Sequence, residues 1–253
     1  MAKQEKIYIY GRHALMEALR NRPKSVQKVF LAPGLQDQEL KDTIRRNGIR
    51  IAKLSDKEVH KVGSTSTHQG VIGIVTLSEL LAPYKEFAES LTVNDDTSLV
   101  LMGEIQDPQN VGAIIRSAAA FGVSGVLIPQ HNQSPVTGAV VKVSAGMAFK
   151  IPLVTIGNVN ETLRDLKKRG FWIYGLEGEA QQTLGEEQFD APSVFVLGNE
   201  SKGIREKTQE LCDILLKIPM SEKSESLNVA ASAAVALYAW STKHPNALTQ
   251  EKE

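Results

Sequence analysis

The fold is decided by residues 193–240, which read SVFVLGNESKGIREKTQELCDILLKIPMSEKSESLNVAASAAVALYAW. Two short apolar runs within this stretch, Val194–Leu197 and Ile214–Ile218, predict buried strands. Each run leads into a polar loop, residues 198–203 after the first and residues 219–228 after the second. Because open α/β sheets bind their ligands beyond the carboxyl ends of strands, the two loops predict a cofactor site.

Strands and helices alternate along the rest of the chain as well. Further strands are predicted at Lys6–Tyr10, Val26–Leu31, Ile49–Leu54, Val71–Thr76, Leu99–Met102, Gly125–Ile128, Ile151–Val154 and Phe171–Leu176. Helices are predicted at Arg12–Arg20, Gln38–Arg46, Tyr84–Leu91, Gln109–Phe121, Val136–Phe149, Val159–Arg169, Ile204–Leu211 and Leu227–Trp240. This alternation predicts an α/β fold with a mostly parallel sheet that is covered by helices on both faces.

Breaks in the pattern divide the chain into two predicted domains. Residues 1–77 predict a small α/β/α domain, and residues 98–243 predict a larger α/β domain. Between them, residues 78–97 predict a linker, because Pro83 and a polar cluster interrupt the periodic pattern. The polar residues 244–253 predict a frayed tail.

Charge is distributed unevenly, although the formal net charge at pH 7 is +0. Residues 1–75 contain 14 Lys and Arg against 7 Asp and Glu, a balance of +7. The remaining residues contain 15 basic and 22 acidic side chains, a balance of −7. A basic first part next to an acidic second part indicates that residues 1–75 bind a polyanion while the rest has another task.

Other features of the sequence exclude several classes of site. No apolar run is long enough to span a bilayer, and the start of the chain lacks an apolar signal core, which predicts a cytoplasmic protein. The single cysteine, Cys212, excludes an internal disulfide bond and is predicted to be a structural thiol. The histidines lack metal-ligand spacing, so no metal is expected. His13 and His68 are predicted to lie on the surface or in ordinary hydrogen bonds, whereas His131 lies in a loop after a strand and could touch a ligand.

The two familiar glycine-rich phosphate-binding loops are absent. No G-x-G-x-x-G follows a strand, and no G-x-x-x-x-G-K-[ST] occurs. Gly198 and Gly203 have the second spacing, but Ile204 stands where a lysine is needed.

The first candidate segment, residues 107–117, follows the strand Leu99–Met102 and opens a helix. One interpretation is structural, with Asn110 as a helix cap and Arg116 in a surface salt bridge. The other is functional: Arg116 stands among apolar and small residues, and an arginine in such a place needs an anionic partner, for which Glu200 is available. The local sequence leaves both interpretations open.

The two polar loops supply the other candidates. Gly198, Asn199 and Glu200 could form an ordinary strand-to-helix turn or a backbone hoop around a ligand. Ser226 and Asn228 could be helix caps. Capping does not explain why the polar loop 219–228 is longer than most connections in compact domains, and this length favours a functional role.

Three motifs therefore stand in a fixed order: N-x₅-R, L-G-N-E and I-P-M…S-L-N-V-A. On these motifs, residues 98–242 resemble the SPOUT methyltransferases, in particular the TrmH/SpoU family of RNA ribose 2′-O-methyltransferases. The resemblance implies a catalytic set drawn from all three motifs: Asn110, Arg116, Glu200, Ser226 and Asn228. It also implies that S-adenosylmethionine binds against Gly198, Asn199, Ile218 and Leu227, without a metal.

The resemblance further implies an architecture and partners. The C-terminal domain is expected to contain a deep trefoil knot, although knots are nearly absent from proteins. Family members are homodimers with shared active sites, and the Ala-rich helices Val136–Phe149 and Asn228–Trp240 are the expected dimer faces. The first domain, with the opening IYGRHALMEAL at residues 9–19, is similar to the L30e/L7Ae type of RNA-binding domain.

The implied reaction is methyl transfer to a ribose 2′-hydroxyl, a weak nucleophile that must lose its proton. The family pattern assigns Arg116 as the base, but arginine is effectively always protonated, so a second hypothesis has it hold a phosphate and stabilise the alkoxide. In either case Glu200 would orient Arg116. The whole chain is most similar to enzymes that methylate a guanosine in 23S rRNA. The alternatives are a tRNA or other rRNA 2′-O-methyltransferase and a non-catalytic RNA-binding ribosome-assembly factor.

Overall fold

The computed structural model describes residues 5–63 and 68–249, which contain two β-sheets. The smaller sheet consists of β1 (Lys6–Tyr10), β2 (Val26–Leu31), β3 (Arg50–Lys53) and β4 (Val71–Thr76). The order across this sheet is β1-β4-β2-β3. Strand β4 runs antiparallel to both of its neighbours, whereas β3 is parallel to β2.

Three helices pack against the smaller sheet: α1 (Arg12–Asn21), α2 (Gln38–Arg46) and α3 (Asp56–Val62). Leu15 of α1 and Leu40 of α2 are fully buried against one face of the sheet. A capping box begins α3, where Ser55 and Glu58 satisfy each other's backbone amides.

The larger sheet consists of β5 (Leu81–Pro83), β6 (Ser98–Met102), β7 (Gly125–Pro129), β8 (Leu153–Ile156), β9 (Trp172–Leu176), β10 (Gln182–Thr183), β11 (Ser193–Leu197) and β12 (Ile214–Lys217). Their order is β10-β12-β9-β11-β6-β7-β8-β5, and every neighbouring pair is parallel. The central strands β6, β7 and β11 are buried throughout, which explains their continuous apolar sequence. The predicted α/β fold with a mostly parallel sheet is confirmed.

The larger sheet is accompanied by α4 (Tyr84–Ser90), α5 (Pro108–Ala120), α6 (Gly138–Val143), α7 (Val159–Lys168), α8 (Glu206–Gln209), α9 (Val229–Lys243) and α10 (Pro245–Thr249). Helices α5, α6 and α9 share one apolar core with β11, in which Trp240 and Phe195 are buried. Helices α4 and α7 contribute Phe87 and Leu163 to a second core. Within the described ranges, no helix is both long and apolar enough to cross a membrane.

The two sheets are held together by contacts between α6, β1 and α1. Gly138 begins α6 so close to β1 that a Cβ atom there would lie 1.9 Å from the carbonyl oxygen of Tyr8. The buried carboxylate of Glu17 on α1 pairs with the Nζ of Lys150 at 3.0 Å. A backbone contact and a buried ion pair therefore fix the position of the smaller sheet relative to the larger one.

The prediction that residues 78–97 form a linker is wrong. Strand β5 lies at the edge of the larger sheet beside β8, and α4 follows it directly. The hydroxyl of Tyr84 donates a hydrogen bond to Asp165 on α7 at 2.7 Å, and this bond ties α4 to the domain. Pro83 interrupts the pattern without breaking the sheet, because an edge strand tolerates a missing amide hydrogen.

The helix predicted at Val136–Phe149 is shorter than expected. Helix α6 ends at Val143, because Ala145 and Gly146 have positive φ angles of 51° and 78° that no α-helix accommodates. None of the α6 residues is exposed, since the helix packs against β1 and α5 within the same chain. This helix is therefore not available as a dimer face, contrary to the prediction.

The predicted frayed tail is ordered over its described part. His244 is buried, and its two ring nitrogens lie 2.9 Å from a carboxylate oxygen of Asp96 and 3.0 Å from the carbonyl oxygen of Phe189. Helix α10 follows, and residues 250–253 lie outside the described residues. The polar composition of the tail concealed these contacts, which join parts of the chain that are far apart in sequence.

Candidate functional site

A cavity of about 400 Å³ opens at the carboxyl ends of β9, β11 and β12, next to the start of α9. This is the edge at which parallel sheets bind ligands. The residues that line it are Leu176–Gly178, Leu197–Ser201, Gly203, Leu216, Ile218, Met220, Glu225–Val229 and Ser232. The cavity thus contains Gly198, Asn199, Ile218 and Leu227, the four residues predicted to bind the cofactor.

The loop after β11 is held in shape by Asn199. Its backbone pairs with that of Gly203, at distances of 2.9 and 3.0 Å, and its Oδ1 accepts hydrogen bonds from the amides of Ser201 and Lys202. A Cβ atom at Gly198 would lie 2.3 Å from the carbonyl carbon of Gly203. The loop is therefore a closed hoop that requires glycine at position 198.

The loop after β12 contains neither helix nor strand and ends at Asn228, which caps α9. The Oδ1 of Asn228 accepts a hydrogen bond from the amide of Ala230 at 2.9 Å, and its Nδ2 donates one to the Oδ1 of Asn110, also at 2.9 Å. Asn228 is thus both a cap and a link to the first motif. Ser226 and Leu227, in the same loop, are exposed and line the cavity.

Glu200 joins the second motif to the first. Its carboxylate accepts hydrogen bonds from the backbone amides of Gln106 and Asp107 at 3.1 Å, and from the Nδ2 of Asn110 at 3.1 Å. Burial raises the pKa of the Glu200 carboxyl, but the hydrogen bonds from Asn110 and from the two amides outweigh burial and hold the pKa below its usual value. Glu200 is therefore a carboxylate at neutral pH.

Asn110 lies in the middle of this network and does not cap α5. Asp107 is the N-cap of α5, with its carboxylate accepting a hydrogen bond from the amide of Gln109, so the structural interpretation of Asn110 as a cap is wrong. Asn110 is buried, and its side chain contacts both Glu200 and Asn228. Its Nδ2 and Oδ1 each have one partner, and these bonds connect all three motifs.

Arg116 is placed differently from the expectation. It is exposed on α5, and it makes no hydrogen bond or ion pair with any residue in the parts of the chain that the structure describes. The expected pairing with Glu200 is not formed, because the Glu200 oxygens are occupied by Asn110 and by backbone amides. Arg116 is six positions after Asn110, which corresponds to about 9 Å along the helix. Arg116 does not line the cavity of its own chain.

Helices α5 and α9 lie side by side and run in the same direction. Asn110 contacts Asn228 near their starts, and the rings of Phe121 and Tyr238 lie 5.9 Å apart near their ends. Arg116 is therefore level with the middle of α9. On α9, Val235 is 40% exposed and Tyr238 is 59% exposed, so this helix presents an apolar surface.

One wall of the cavity was not predicted from the sequence. Leu176, Glu177 and Gly178 follow β9, and they line the cavity together with the two polar loops. The signal was present, since Glu177 and Gly178 stand just past a predicted strand, as the other loop residues do. Glu177 and Glu225 add negative charge to a lining that is otherwise apolar or neutral, apart from Glu200. A molecule with an apolar ring and a positive charge fits this chemistry.

The remaining candidates lie outside the cavity. Cys212 is half-buried, and burial raises the pKa of its thiol to about 12, which agrees with a structural thiol. His131 lines a second cavity beside the first. Among the described residues, no group of three or more histidine, cysteine or acidic side chains is arranged to hold a metal ion.

The chain matches two protein families over most of its length. Residues 97–238 match the SpoU rRNA Methylase family. Residues 8–81 match a family described as RNA 2′-O ribose methyltransferase substrate binding.

Curated relatives are similar over almost the whole chain. A 23S rRNA (guanosine-2′-O-)-methyltransferase RlmB of Nitrosomonas europaea is 35% identical over 240 residues, which cover 94% of this chain and 92% of that protein. The protein of the same name from Xanthomonas axonopodis pv. citri is 37% identical over 242 residues, covering 94% and 96% of the two chains.

Solved structures share the fold. The SpoU methyltransferase AviRb of Streptomyces viridochromogenes, in complex with AdoMet, superposes with a TM-score of 0.80 at 20% identity, covering 95% of this chain and 91% of that one. An AdoMet-bound rRNA methyltransferase of Sinorhizobium meliloti gives a TM-score of 0.77 at 21% identity, covering 93% and 86%.

Proposed function

The chain belongs to the SpoU rRNA methylase family, and on that premise we propose that it transfers a methyl group from S-adenosylmethionine to the ribose 2′-hydroxyl of a guanosine in 23S rRNA. The observation that carries the proposal is the assembly of three distant motifs at one cavity. Asn110 joins Glu200 to Asn228, and the last two line the cavity. Relatives of matching length that are named for this reaction support the choice of RNA.

The cavity suits S-adenosylmethionine in size and chemistry. Its volume of about 400 Å³ lies within the range of small-molecule sites, roughly 300–1,000 Å³. Apolar side chains such as Ile218 and Leu227 can cover an adenine ring, while Glu177 and Glu225 can balance positive charge. When bound, the cofactor supplies a methyl group on a positively charged sulfur. We assign its binding to Gly198, Asn199, Ile218 and Leu227.

The acceptor hydroxyl must lose its proton, and the charged groups near the site determine how. The Glu200 carboxylate already accepts hydrogen bonds from Asn110 and from two backbone amides, so we regard it as a positioning residue for the first motif. We assign the shaping of the ribose site to Ser226 and Asn228, which line the cavity. Because arginine stays protonated, we propose that Arg116 binds the target phosphate and stabilises the developing alkoxide.

We propose further that the active protein is a homodimer in which Arg116 completes the site of the other subunit. Two features support this: the exposed guanidinium has no partner in the described part of its own chain, and α9 presents an exposed apolar surface. Val235 and Tyr238 on that surface are large apolar residues in a position suited to a subunit interface. Of the two helices expected at the interface, α9 has the exposed face and α6 does not.

The RNA itself is proposed to bind the first domain, which we regard as an L30e/L7Ae-like module. Its basic residues exceed its acidic ones, and several lie on the surface without a carboxylate partner in the described chain. Arg50 and Lys53, on the edge strand β3, are examples. Exposed positive charges of this kind attract the phosphate backbone, in line with the charge balance of residues 1–75.

The trefoil knot is part of the proposal. Strand β12 lies beyond β9, whereas the next helix, α9, packs on α5, which follows β6 on the other side of β11. The polar loop 219–228 must therefore cross the carboxyl edge of the sheet, past the connection that leads from β9 to β11. This path supports a threaded chain. We place the protein in the cytoplasm, where 23S rRNA is available.

The test is methyl transfer from labelled S-adenosylmethionine to 23S rRNA, with tRNA as the competing substrate and mapping of the 2′-O-methyl position. Label in a 23S guanosine is the expected result. Label in tRNA would instead favour the alternative substrate. Calorimetric measurement of S-adenosylmethionine binding distinguishes the enzyme from the non-catalytic alternative, because a ribosome-assembly factor without activity has no reason to bind this cofactor.

A further inference from the structure

A second cavity, of about 380 Å³, lies at the carboxyl ends of β6, β7 and β8. We propose that it binds a nucleotide of the RNA substrate that flanks the methylated one, with the base inside the cavity and a phosphate at its rim. This inference rests on the proposed function, because it takes RNA to be the substrate.

The second cavity adjoins the cofactor cavity but is distinct from it. The two share Gly203, and the Nδ2 of Asn199 donates a hydrogen bond to the carbonyl oxygen of Glu104 at 2.8 Å, from one wall to the other. None of the proposed catalytic side chains lines the second cavity. The reacting ribose therefore lies elsewhere, and the second cavity is suited to a neighbouring nucleotide of the same strand.

The interior offers groups that recognise a base. The Oδ1 of Asn158 accepts a hydrogen bond from the amide of Glu161 at 3.1 Å, and the Oδ1 of Asn160 accepts one from the hydroxyl of Thr208 at 2.9 Å. Neither Nδ2 has a partner among the described residues, so both amide donors are free for a base edge. His131, also in the lining, has a flat ring on which a base can stack.

The rim offers positive charge. The Nε and Nη2 of Arg205 lie 3.1 and 2.6 Å from the two carboxylate oxygens of Glu104, which fixes the guanidinium and leaves its other N–H groups free. Lys207 is exposed and has no carboxylate partner in the described chain. Glu206, also in the lining, can accept a hydrogen bond from an amino group of a base. Together these groups match a nucleotide better than a bare anion.

The backbone around this rim is also unusual. Glu104 and Asn132 have positive φ angles of 64° and 54°, a conformation that residues other than glycine adopt at a cost. The two are linked by a hydrogen bond from Asn132 Nδ2 to Glu104 Oε1 at 3.3 Å. Such strain persists where surrounding contacts fix the loops, and it is concentrated at binding sites.

The test uses three single variants of the full-length protein: Lys207→Ala, Asn158→Ser and His131→Ala. Serine retains an N-cap oxygen for α7 while removing the amide donor, so folding is preserved. The readouts are the Kd for a 23S rRNA fragment by filter binding at several salt concentrations, the Kd for S-adenosylmethionine, and kcat at saturating RNA. Lys168→Ala is the control, because it removes the same charge at the far end of α7.

We expect each variant to weaken RNA binding about five- to tenfold, with the affinity for S-adenosylmethionine and kcat unchanged. For Lys207→Ala, the slope of log RNA affinity against log salt concentration should become shallower by the equivalent of about one phosphate contact. Lys168→Ala should leave this slope unchanged. RNA affinities equal to that of the wild type in all three variants would overturn the inference. If the wild type binds the fragment without methylating any RNA, the proposed function fails, whereas the binding comparison still decides the site.

Discussion

Asn228 donates a hydrogen bond from its Nδ2 to the Oδ1 of Asn110 at 2.9 Å, across 118 positions of sequence. The Nδ2 of Asn110 in turn donates to the Oε1 of Glu200 at 3.1 Å. One buried amide thus fixes the start of α9, the start of α5 and the hoop after β11 relative to one another. Because an amide has one donor end and one acceptor end, no other side chain of this size serves both partners.

The first prediction concerns this amide. Asn110→Asp replaces the donor toward Glu200 with a carboxylate, so two negative charges would face each other at about 3 Å. We expect the Kd for S-adenosylmethionine to rise at least tenfold, and the free energy of unfolding to fall by about 1–3 kcal/mol. Calorimetry and urea denaturation measure the two quantities.

The control for this prediction is the double variant Asn110→Asp with Glu200→Gln. The Nε2 of glutamine can donate to the new carboxylate, while its oxygen still accepts from the amides of Gln106 and Asp107. Recovery of at least half of the lost stability is expected, as for residues in direct contact. If the double variant is as unstable as the sum of the two single variants, the hydrogen bond is not the cause.

The second prediction follows from the lowered pKa of Glu200. A carboxyl whose pKa is lower in the folded state stabilises the fold above its unfolded pKa, about 4.3, and loses this effect as pH falls through the folded value. Glu200→Gln should therefore be less stable than the wild type at pH 7. The difference should shrink below about pH 4, because the wild-type carboxyl is then becoming protonated. Urea denaturation at pH 7, 5, 4 and 3.5 tests this.

The matched control is Glu222→Gln, at an exposed carboxylate in the loop after β12 that has no hydrogen bond in the described chain. Its stability difference from the wild type should be small at every pH. A constant difference for Glu200→Gln across the same range would contradict the prediction.

The central strands of the larger sheet could be predicted from the sequence, because burial on both faces leaves continuous apolar runs such as Val194–Leu197. The three motifs could be placed at one edge, because parallel strands bring their carboxyl ends together. What the sequence did not show is which polar group meets which. Glu200 was expected to bind Arg116, but the geometry of the hoop directs it to the start of α5 instead.

The errors have a common physical origin in contacts between distant residues. Residues 78–97 lack periodicity, but pairing with β8 turns three of them into a strand. His244 stands in a polar tail, but Asp96 and Phe189 supply partners 148 and 55 positions away. Local composition carries no information about such pairings, so a polar segment looks flexible until its partner is known.

The third prediction concerns how the two sheets are joined. Gly138→Ala would place a methyl group 1.9 Å from the carbonyl oxygen of Tyr8, and backbone on both sides leaves little room to adjust. We expect a loss of about 1–3 kcal/mol in the free energy of unfolding. The Kd for RNA should rise while that for S-adenosylmethionine is unchanged, because the cofactor cavity lies elsewhere. Gly185→Ala is the control, since a Cβ atom there meets nothing within 4 Å. Equal effects of the two variants would rule out a role for the contact.

The fourth prediction concerns the end of α9. His244→Ala removes two hydrogen bonds and the stacking of its ring on Trp240, whose ring centroid is 4.8 Å away. Asp96 and the Phe189 carbonyl then lose a partner, and we expect a destabilisation of about 2–3 kcal/mol, measured by urea denaturation. Asn246→Ala, which removes one exposed hydrogen bond to Asp96, should cost less than about 0.5 kcal/mol. A wild-type unfolding midpoint for His244→Ala would mean that these contacts of His244 do not stabilise the end of α9.

The last prediction tests whether Arg116 acts across the subunit interface. Arg116→Ala and Asn228→Ala should each be nearly inactive, because one loses the guanidinium and the other loses the link between α9 and Asn110. In a symmetric dimer with shared sites, a mixed dimer of the two variants has one site with both residues intact. Mixing, unfolding and refolding the two variants together should therefore restore about a quarter of the wild-type methyl transfer, since half of the dimers are mixed and each has one good site.

If Arg116 instead serves its own chain, every site in the mixed dimer lacks one residue, and activity stays at the level of the separate variants. The result thus separates the two arrangements without a structure of the dimer. The control is a mixture of Asn228→Ala with Glu200→Ala, two residues of the same cavity wall, which should show no recovery.

A pH–rate profile of Arg116→Ala at saturating RNA then distinguishes the roles of the arginine. A profile unchanged in shape but uniformly lower in rate fits a phosphate and alkoxide clamp, whereas loss of an ionisation would identify Arg116 as the base.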